Sequence, residues 1–203
     1  MSKTKLTVAR LLPYLLRIGG IIGIICSFVI TQDKGARLQN PNVKPSCDLN
    51  PIVSCGNVMQ SSQSHIFSFT NTYIGLVGFP VLTTIGFAML AGAKFKRWFW
   101  LGLQAGLTLG LVMAYWLLWQ SVNRIHALCP YCLTVDVVLI AVTWYLTLYN
   151  VDQKYLRLPK GKATATYTWI RKHHLDLLVL WFLILIALIL HHFWYYYGRH
   201  FLK

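Results

Sequence analysis

LCPYCLTVDVVLIAVTWYLTLY, residues Leu128 to Tyr149, is the stretch that decides the fold. It is an apolar run of membrane-spanning length, since about 20 residues of helix cross a bilayer. It opens with a CxxC motif, Cys129-Pro130-Tyr131-Cys132. At that spacing on a helix the two sulfurs share one face, close enough for a disulfide. Pro130 suits a first-turn position, where no backbone donor is needed. The positive end of the helix dipole favours thiolate over thiol, and the thiolate is the nucleophile of thiol–disulfide exchange. A CxxC at the start of a membrane helix therefore reads as a redox pair at the bilayer edge. A static disulfide and half of a zinc site are the other uses of the same spacing.

Outward from this run, four more apolar stretches can cross a bilayer: Leu11 to Thr31, Thr72 to Gly92, Trp98 to Trp119 and Leu175 to Tyr196. The 203 residues are 56% hydrophobic and only 12% charged, more apolar than a soluble domain of this length needs. The acidic residues are five Asp, with no Glu, and the net charge is +14. Such a charge suggests nucleic acid, but the basic residues sit in short clusters between apolar runs, which is the membrane pattern. The first run is too long for a cleavable signal peptide, and no small-residue cleavage site follows it. The expected fold is all-α and polytopic, with four transmembrane helices in a bundle and a fifth beside them. The expected division is a catalytic domain over residues 1–150, with an outer loop over 32–71, then a cytoplasmic linker and fifth helix over 151–203.

Lys and Arg counts orient the chain. With the N-terminus inside, thirteen of the nineteen basic residues fall on the inner side, and the short inner loops carry Lys94, Lys96 and Arg97, then Lys154 and Arg157 among others. Trp194-Tyr195-Tyr196-Tyr197 would then form an outer aromatic belt. The loop from Gln32 to Asn71 and the connection from Gln120 to Ala127 face outward. Four of the five cysteines lie in or beside these outer segments, on a side of the membrane that permits disulfides. Topology and cysteine placement rest on different residues and agree.

Cys47 and Cys55 lie in the outer loop, where they can pair with each other and meet a soluble partner. A structural staple is the alternative, but a second pair at the same face favours a relay. A four-thiolate zinc site is the rival use, disfavoured by the wide loop spacing. Cys26, among Ile and Phe in the first helix, reads as a small buried apolar residue. Asp136 is an acid inside an apolar helix, one turn below Cys132 and on its face, and so a candidate for function. It suits a hydrogen bond or a proton given to a substrate, or else a hydrogen bond to a neighbouring helix. His65 and His126, near the outer face, are proton-transfer candidates or simply solvated. His173-His174 and His191-His192 flank the fifth run at opposite ends and do not suggest a shared metal. Trp116 and Trp119 fit a pocket lining or an aromatic belt equally.

Together these residues resemble the vitamin K epoxide reductase family. Its pattern, C-D-x5-S-C in the outer loop and then a CxxC opening the fourth helix, matches Cys47-Asp48 through Ser54-Cys55 and Cys129 with Cys132. Ser61 falls where the family carries a Ser or Thr near the redox centre. Asn71-Thr72-Tyr73-Ile74-Gly75 resembles the N-S-x-F-G segment of vertebrate members, whose Asn hydrogen-bonds a quinone carbonyl. One departure is Asp136, which stands where vertebrate members carry a Tyr facing the quinone. The resemblance covers roughly Arg10 to Asn150.

It implies a four-helix bundle around a quinone of the ubiquinone or menaquinone type, capped by the outer loop and a short half-helix after Cys55. It implies catalytic roles for Cys47, Cys55, Cys129, Cys132 and Ser61, and quinone contacts for Asn71 and Asp136. Electrons would enter at Cys47, pass from Cys55 to Cys129 and leave from Cys132. The expected activity is a quinone-dependent thiol–disulfide oxidoreductase that supports disulfide formation. Its expected donor is a separate thioredoxin-fold protein, periplasmic or luminal. The expected location is the bacterial cytoplasmic membrane, with the site on the periplasmic side. One rival, the four-helix bacterial quinone reductase that reoxidises periplasmic disulfide donors, carries its CxxC early and its wide pair late, the reverse of the order here. The rival of another class is a membrane metal-binding or transport protein using the same cysteines.

Overall fold

The computed structural model describes residues 3–50, 52–65, 69–157 and 162–194. The chain divides into two compact units, Met1–Arg157 and Leu158–Lys203. In the first, α1 (Lys3–Gln39) leads to a loop, the short α2 (Cys55–Gln60) and a 3-10 turn at Ser62–Ser64. Three long helices follow: α3 (Thr72–Leu90), α4 (Arg97–Gln120), prolonged by a π turn at Ser121–Ile125, and α5 (Pro130–Asp152). The second unit holds α6 (Lys162–Lys172) and α7 (His174–His192). Among the described residues the only strand-like pairing is a single parallel bridge, Val53 with Leu128.

Among the described residues five helices are long and apolar enough to cross a membrane. They are the five apolar runs of the sequence, and the chain is an all-α multi-pass membrane protein. The first helix differs most from its apolar run, continuing past Thr31 to Gln39. Hydropathy ends a run where polar residues begin, whereas Gln32 to Gln39 still contains good helix formers such as Lys34, Ala36, Arg37 and Leu38. The helix stops at Asn40, which precedes a proline and whose side chain accepts from the Asn42 N–H at 3.1 Å.

Helix α1 packs on α3 and α5, and α4 packs on α5. The α1–α3 approach depends on glycine at both sides. A Cβ on Gly20 would lie 2.8 Å from the Thr83 backbone nitrogen, and one on Gly86 would lie 2.7 Å from the Arg17 backbone nitrogen. Inside the membrane such small residues let backbones come close enough for dispersion to hold them. The side chains of Leu12 and Leu16 on α1 and of Ile140, Val142 and Leu146 on α5 are buried. Much of the rest of the apolar surface is exposed, as lipid-facing helices require. On α7, Leu183, Ile186 and Leu188 are all more than half exposed. Of the aromatic tail, Trp194 is exposed, and Tyr195 to Tyr197 lie outside the described residues.

Candidate functional site

The site forms at one end of the first unit, where the outer loop meets the start of α5. Cys129 is the N-cap of α5, with extended backbone (φ −100°, ψ 116°), and Pro130 follows in the first turn. Its sulfur accepts the Cys132 backbone N–H at 3.4 Å, the role a Ser or Asp oxygen plays at an ordinary cap. The Cys129 thiol is held below the ordinary thiol range, foremost by the hydrogen bond from the Cys132 side chain, with the Cys132 and Tyr131 backbone groups adding to it against the opposing effect of burial. Cys132 stands one turn on, half-buried.

The loop is folded around Asp48 and Asn50. The Asp48 carboxylate accepts from Ser54 Oγ at 3.0 Å and from the Gly56 N–H at 2.9 Å. Asn50 Oδ1 accepts the N–H groups of Ile52 at 3.0 Å and Val53 at 2.7 Å. Ser54 caps α2, accepting the Asn57 N–H at 3.2 Å. Cys47 and Cys55 are joined as a disulfide with Cα atoms 5.7 Å apart. The loop is pinned to the α5 approach by two bonds, Ser54 N–H to Leu128 O at 3.0 Å and Leu128 N–H to Ile52 O at 2.7 Å. This register brings Cys55 Sγ to 3.3 Å from Cys129 Sγ. Ile30, Met59, Val58 and Tyr131 pack around the sulfurs and keep water from them.

Beneath the sulfurs lies a cavity of about 620 Å³, a volume typical of small-molecule sites. Its walls are mainly apolar residues of α3, α4 and α5, among them Phe79, Leu82, Leu107 and Met113. Its polar lining is the smaller part. Cys55, Ser61, Asn71, Cys129, Cys132 and Asp136 all line it, so six of the seven residues singled out from sequence converge there. Cys47, the seventh, is not part of the lining and reaches the group through its disulfide to Cys55. Ser61 donates to the Val58 carbonyl at 2.7 Å, at the end of α2. Asn71 Nδ2 donates to Gln63 O at 2.7 Å. An apolar slot with a dithiol, an amide and a carboxyl at one end fits the flat carbonyl-bearing head and isoprenoid tail of a membrane quinone.

The other candidates fall elsewhere. Trp116 and Trp119 are exposed and do not line the cavity, whereas Trp98 does. His126 is in the left-handed region (φ 55°) at the turn between the π turn and Leu128 and does not line the cavity. His65 Nδ1 is 2.9 Å from Ser64 Oγ. His173 Nδ1 lies 3.1 Å from Asp176 Oδ2, an exposed pair in the second unit. Cys26 is a buried free thiol. Reading the sequence missed Lys34 and Ser64, both of which line the cavity. The signal for Lys34 was periodic. Ser27, Ile30 and Lys34 fall on one face of α1 once that helix is carried past Thr31.

A family model described as the vitamin K epoxide reductase family matches residues 14–147, more than half of the chain and a span within which the seven singled-out positions fall. No curated protein matches the sequence.

Proposed function

The chain belongs to the vitamin K epoxide reductase family, whose members are membrane oxidoreductases linked to quinones, and on that premise we propose that it oxidises a thioredoxin-fold partner and reduces a quinone. The observation that carries this reading is the 3.3 Å separation of Cys55 Sγ and Cys129 Sγ above an apolar cavity. The loop disulfide and the free CxxC thiols correspond to one stage of the relay, after the loop has passed its electrons inward.

In the full cycle a partner thiolate attacks Cys47, forms a mixed disulfide and releases Cys55. The partner's second thiol then displaces Cys47 and leaves as the disulfide product. Cys55, now a thiolate, attacks Cys129 of an oxidised Cys129–Cys132 pair and releases Cys132. Cys47 next attacks Cys55, restores the loop disulfide and frees Cys129. A bound quinone supplies the two-electron acceptor. Cys129 and Cys132 deliver the electrons and are left as a disulfide. Ser61 has a supporting role at the cavity it lines, and Asn71 and Asp136 are the hydrogen-bonding groups for the quinone carbonyls. The outer loop lies on the periplasmic face of a bacterial cytoplasmic membrane in this reading, a compartment in which disulfides persist.

The test is quinone reduction by detergent-purified protein with a small dithiol. Wild type turns over with a ubiquinone- or menaquinone-type acceptor, and Cys132→Ala does not. Cys47→Ala stops oxidation of a thioredoxin-fold donor but keeps turnover with the small dithiol. Quinone-linked turnover in Cys132→Ala overturns the assignment of the electron exit.

A further inference from the structure

Lys34 is a cation in the wrong place for a surface lysine. It is 8% exposed and lines the cavity. Its ammonium has three N–H donors. Among the described residues its one hydrogen-bond partner is Ser64 Oγ, at 3.1 Å, and no carboxylate pairs with it. A charge taken from water without a counter-charge is costly, and it persists where it has a task. Ser64 joins this cation to the outside. Its Oγ lies 2.9 Å from His65 Nδ1 and 2.8 Å from the Met59 carbonyl, and His65 is exposed. The cavity thus holds an ammonium with donors left over, wired through one hydroxyl to an exposed imidazole.

We propose that Lys34 is a catalytic residue at the quinone, hydrogen-bonding a quinone oxygen and supplying one of the two protons of its reduction, with Ser64 and His65 returning that proton from the outer face. The proposal rests on the quinone reading above. The balance has a place for such a group. When Cys129 reacts as the thiolate and Cys132 as the thiol, the pair carries two electrons but only one proton. The two sulfurs join as a disulfide, two electrons pass to the quinone, the Cys132 thiol gives one proton and Lys34 gives the other, and the product is the hydroquinone. Lys34 is left as a neutral amine. It accepts the Ser64 hydroxyl proton as Ser64 takes one from His65, which is recharged from solvent.

The experiment compares full-length wild type, Lys34→Met and Lys34→Arg in detergent. Three quantities are read: quinone binding from quenching of tryptophan fluorescence (Trp98 lines the cavity), turnover with a small dithiol, and the number of alkylatable thiols before and after reduction. Lys34→Met keeps the wild-type thiol count, binds quinone more weakly and turns over about a hundredfold more slowly, the scale of a lost general acid. Lys34→Arg keeps the charge but holds its proton, since a guanidinium is not deprotonated in proteins. It restores binding and not rate. Lys34→Met with binding and turnover within about twofold of wild type overturns the proposal, given the loss expected on removing a proton donor. Wild-type turnover in Lys34→Arg overturns the proton-donating role. A wild type that reduces no quinone removes the reading beneath the proposal, and the proposal with it.

Discussion

Cys129 is the residue on which the relay turns, because one sulfur serves three neighbours. It touches Cys55 Sγ at 3.3 Å, accepts the Cys132 N–H at 3.4 Å and takes the Cys132 thiol hydrogen bond. The last of these favours the thiolate and lowers its pKa from the ordinary thiol value, against the opposing effect of burial. Alkylation needs the thiolate, so its rate rises with pH and levels off once pH exceeds the pKa. The rate at Cys129, followed by mass spectrometry of the peptide with the loop disulfide intact, is expected to level off below the ordinary thiol range. A plateau reached only above that range contradicts the depressed thiol. Asp136 makes a second prediction at this scale. It lines the cavity one turn from Cys132. Asp136→Asn keeps the shape and loses the carboxyl, and it is expected to weaken quinone affinity or move the pH profile of turnover. An unchanged affinity and profile returns Asp136 to a purely structural place in α5.

At the scale of elements, two contacts hold the site in register. One is the bridge between Val53 and Leu128, which sets the loop against α5. The other is the glycine-mediated approach of α1 and α3, which fixes two walls of the cavity. At Gly86 an added Cβ meets the Pro13 carbonyl at 2.9 Å as well as the Arg17 nitrogen at 2.7 Å, and backbone cannot swing aside as a side chain can. Gly86→Val is expected to lower stability by about 1–3 kcal/mol, the usual cost of overpacking. It should also reduce turnover by parting the helices. Gly35→Ala, whose Cβ has nothing within 4 Å and which does not line the cavity, is the control and leaves both unchanged. Thermal unfolding in detergent reads the difference, and equal midpoints would contradict the close approach. These elements also explain what could be read in advance. The CxxC was legible because its chemistry is local, two sulfurs one turn apart. The Cys55–Cys129 contact was not legible from spacing, because 74 residues separate the two and the bridge that joins them leaves no periodic trace. Only the likeness to a family with that cysteine order suggested it. Lys34 went unread for another reason. Hydropathy ends the first helix at Thr31, and a lysine beyond that point reads as a loop charge until α1 is seen to continue.

For the whole molecule the open quantity is which side of the membrane the sulfurs face. The five spanning helices put the Cys47–Cys55 loop and the start of α5 on one side. The turn between α3 and α4 and the end of α5 lie on the other. That second side carries Lys94, Lys96 and Lys154, and short basic loops stay inside. The proposal accordingly has the sulfurs face outward, where a disulfide survives. The two arguments use different residues, so a single experiment tests their agreement. With Cys26 replaced by Ala, a cysteine is placed at Asn42 in the outer loop or at Lys154 past α5. A membrane-impermeant maleimide applied to intact cells is expected to label Asn42→Cys at once, and Lys154→Cys only after the membrane is opened. The reverse pattern would put the redox pairs in a reducing compartment. The loop disulfide would then have no oxidising partner to serve, and the proposed direction of electron flow would fall with it.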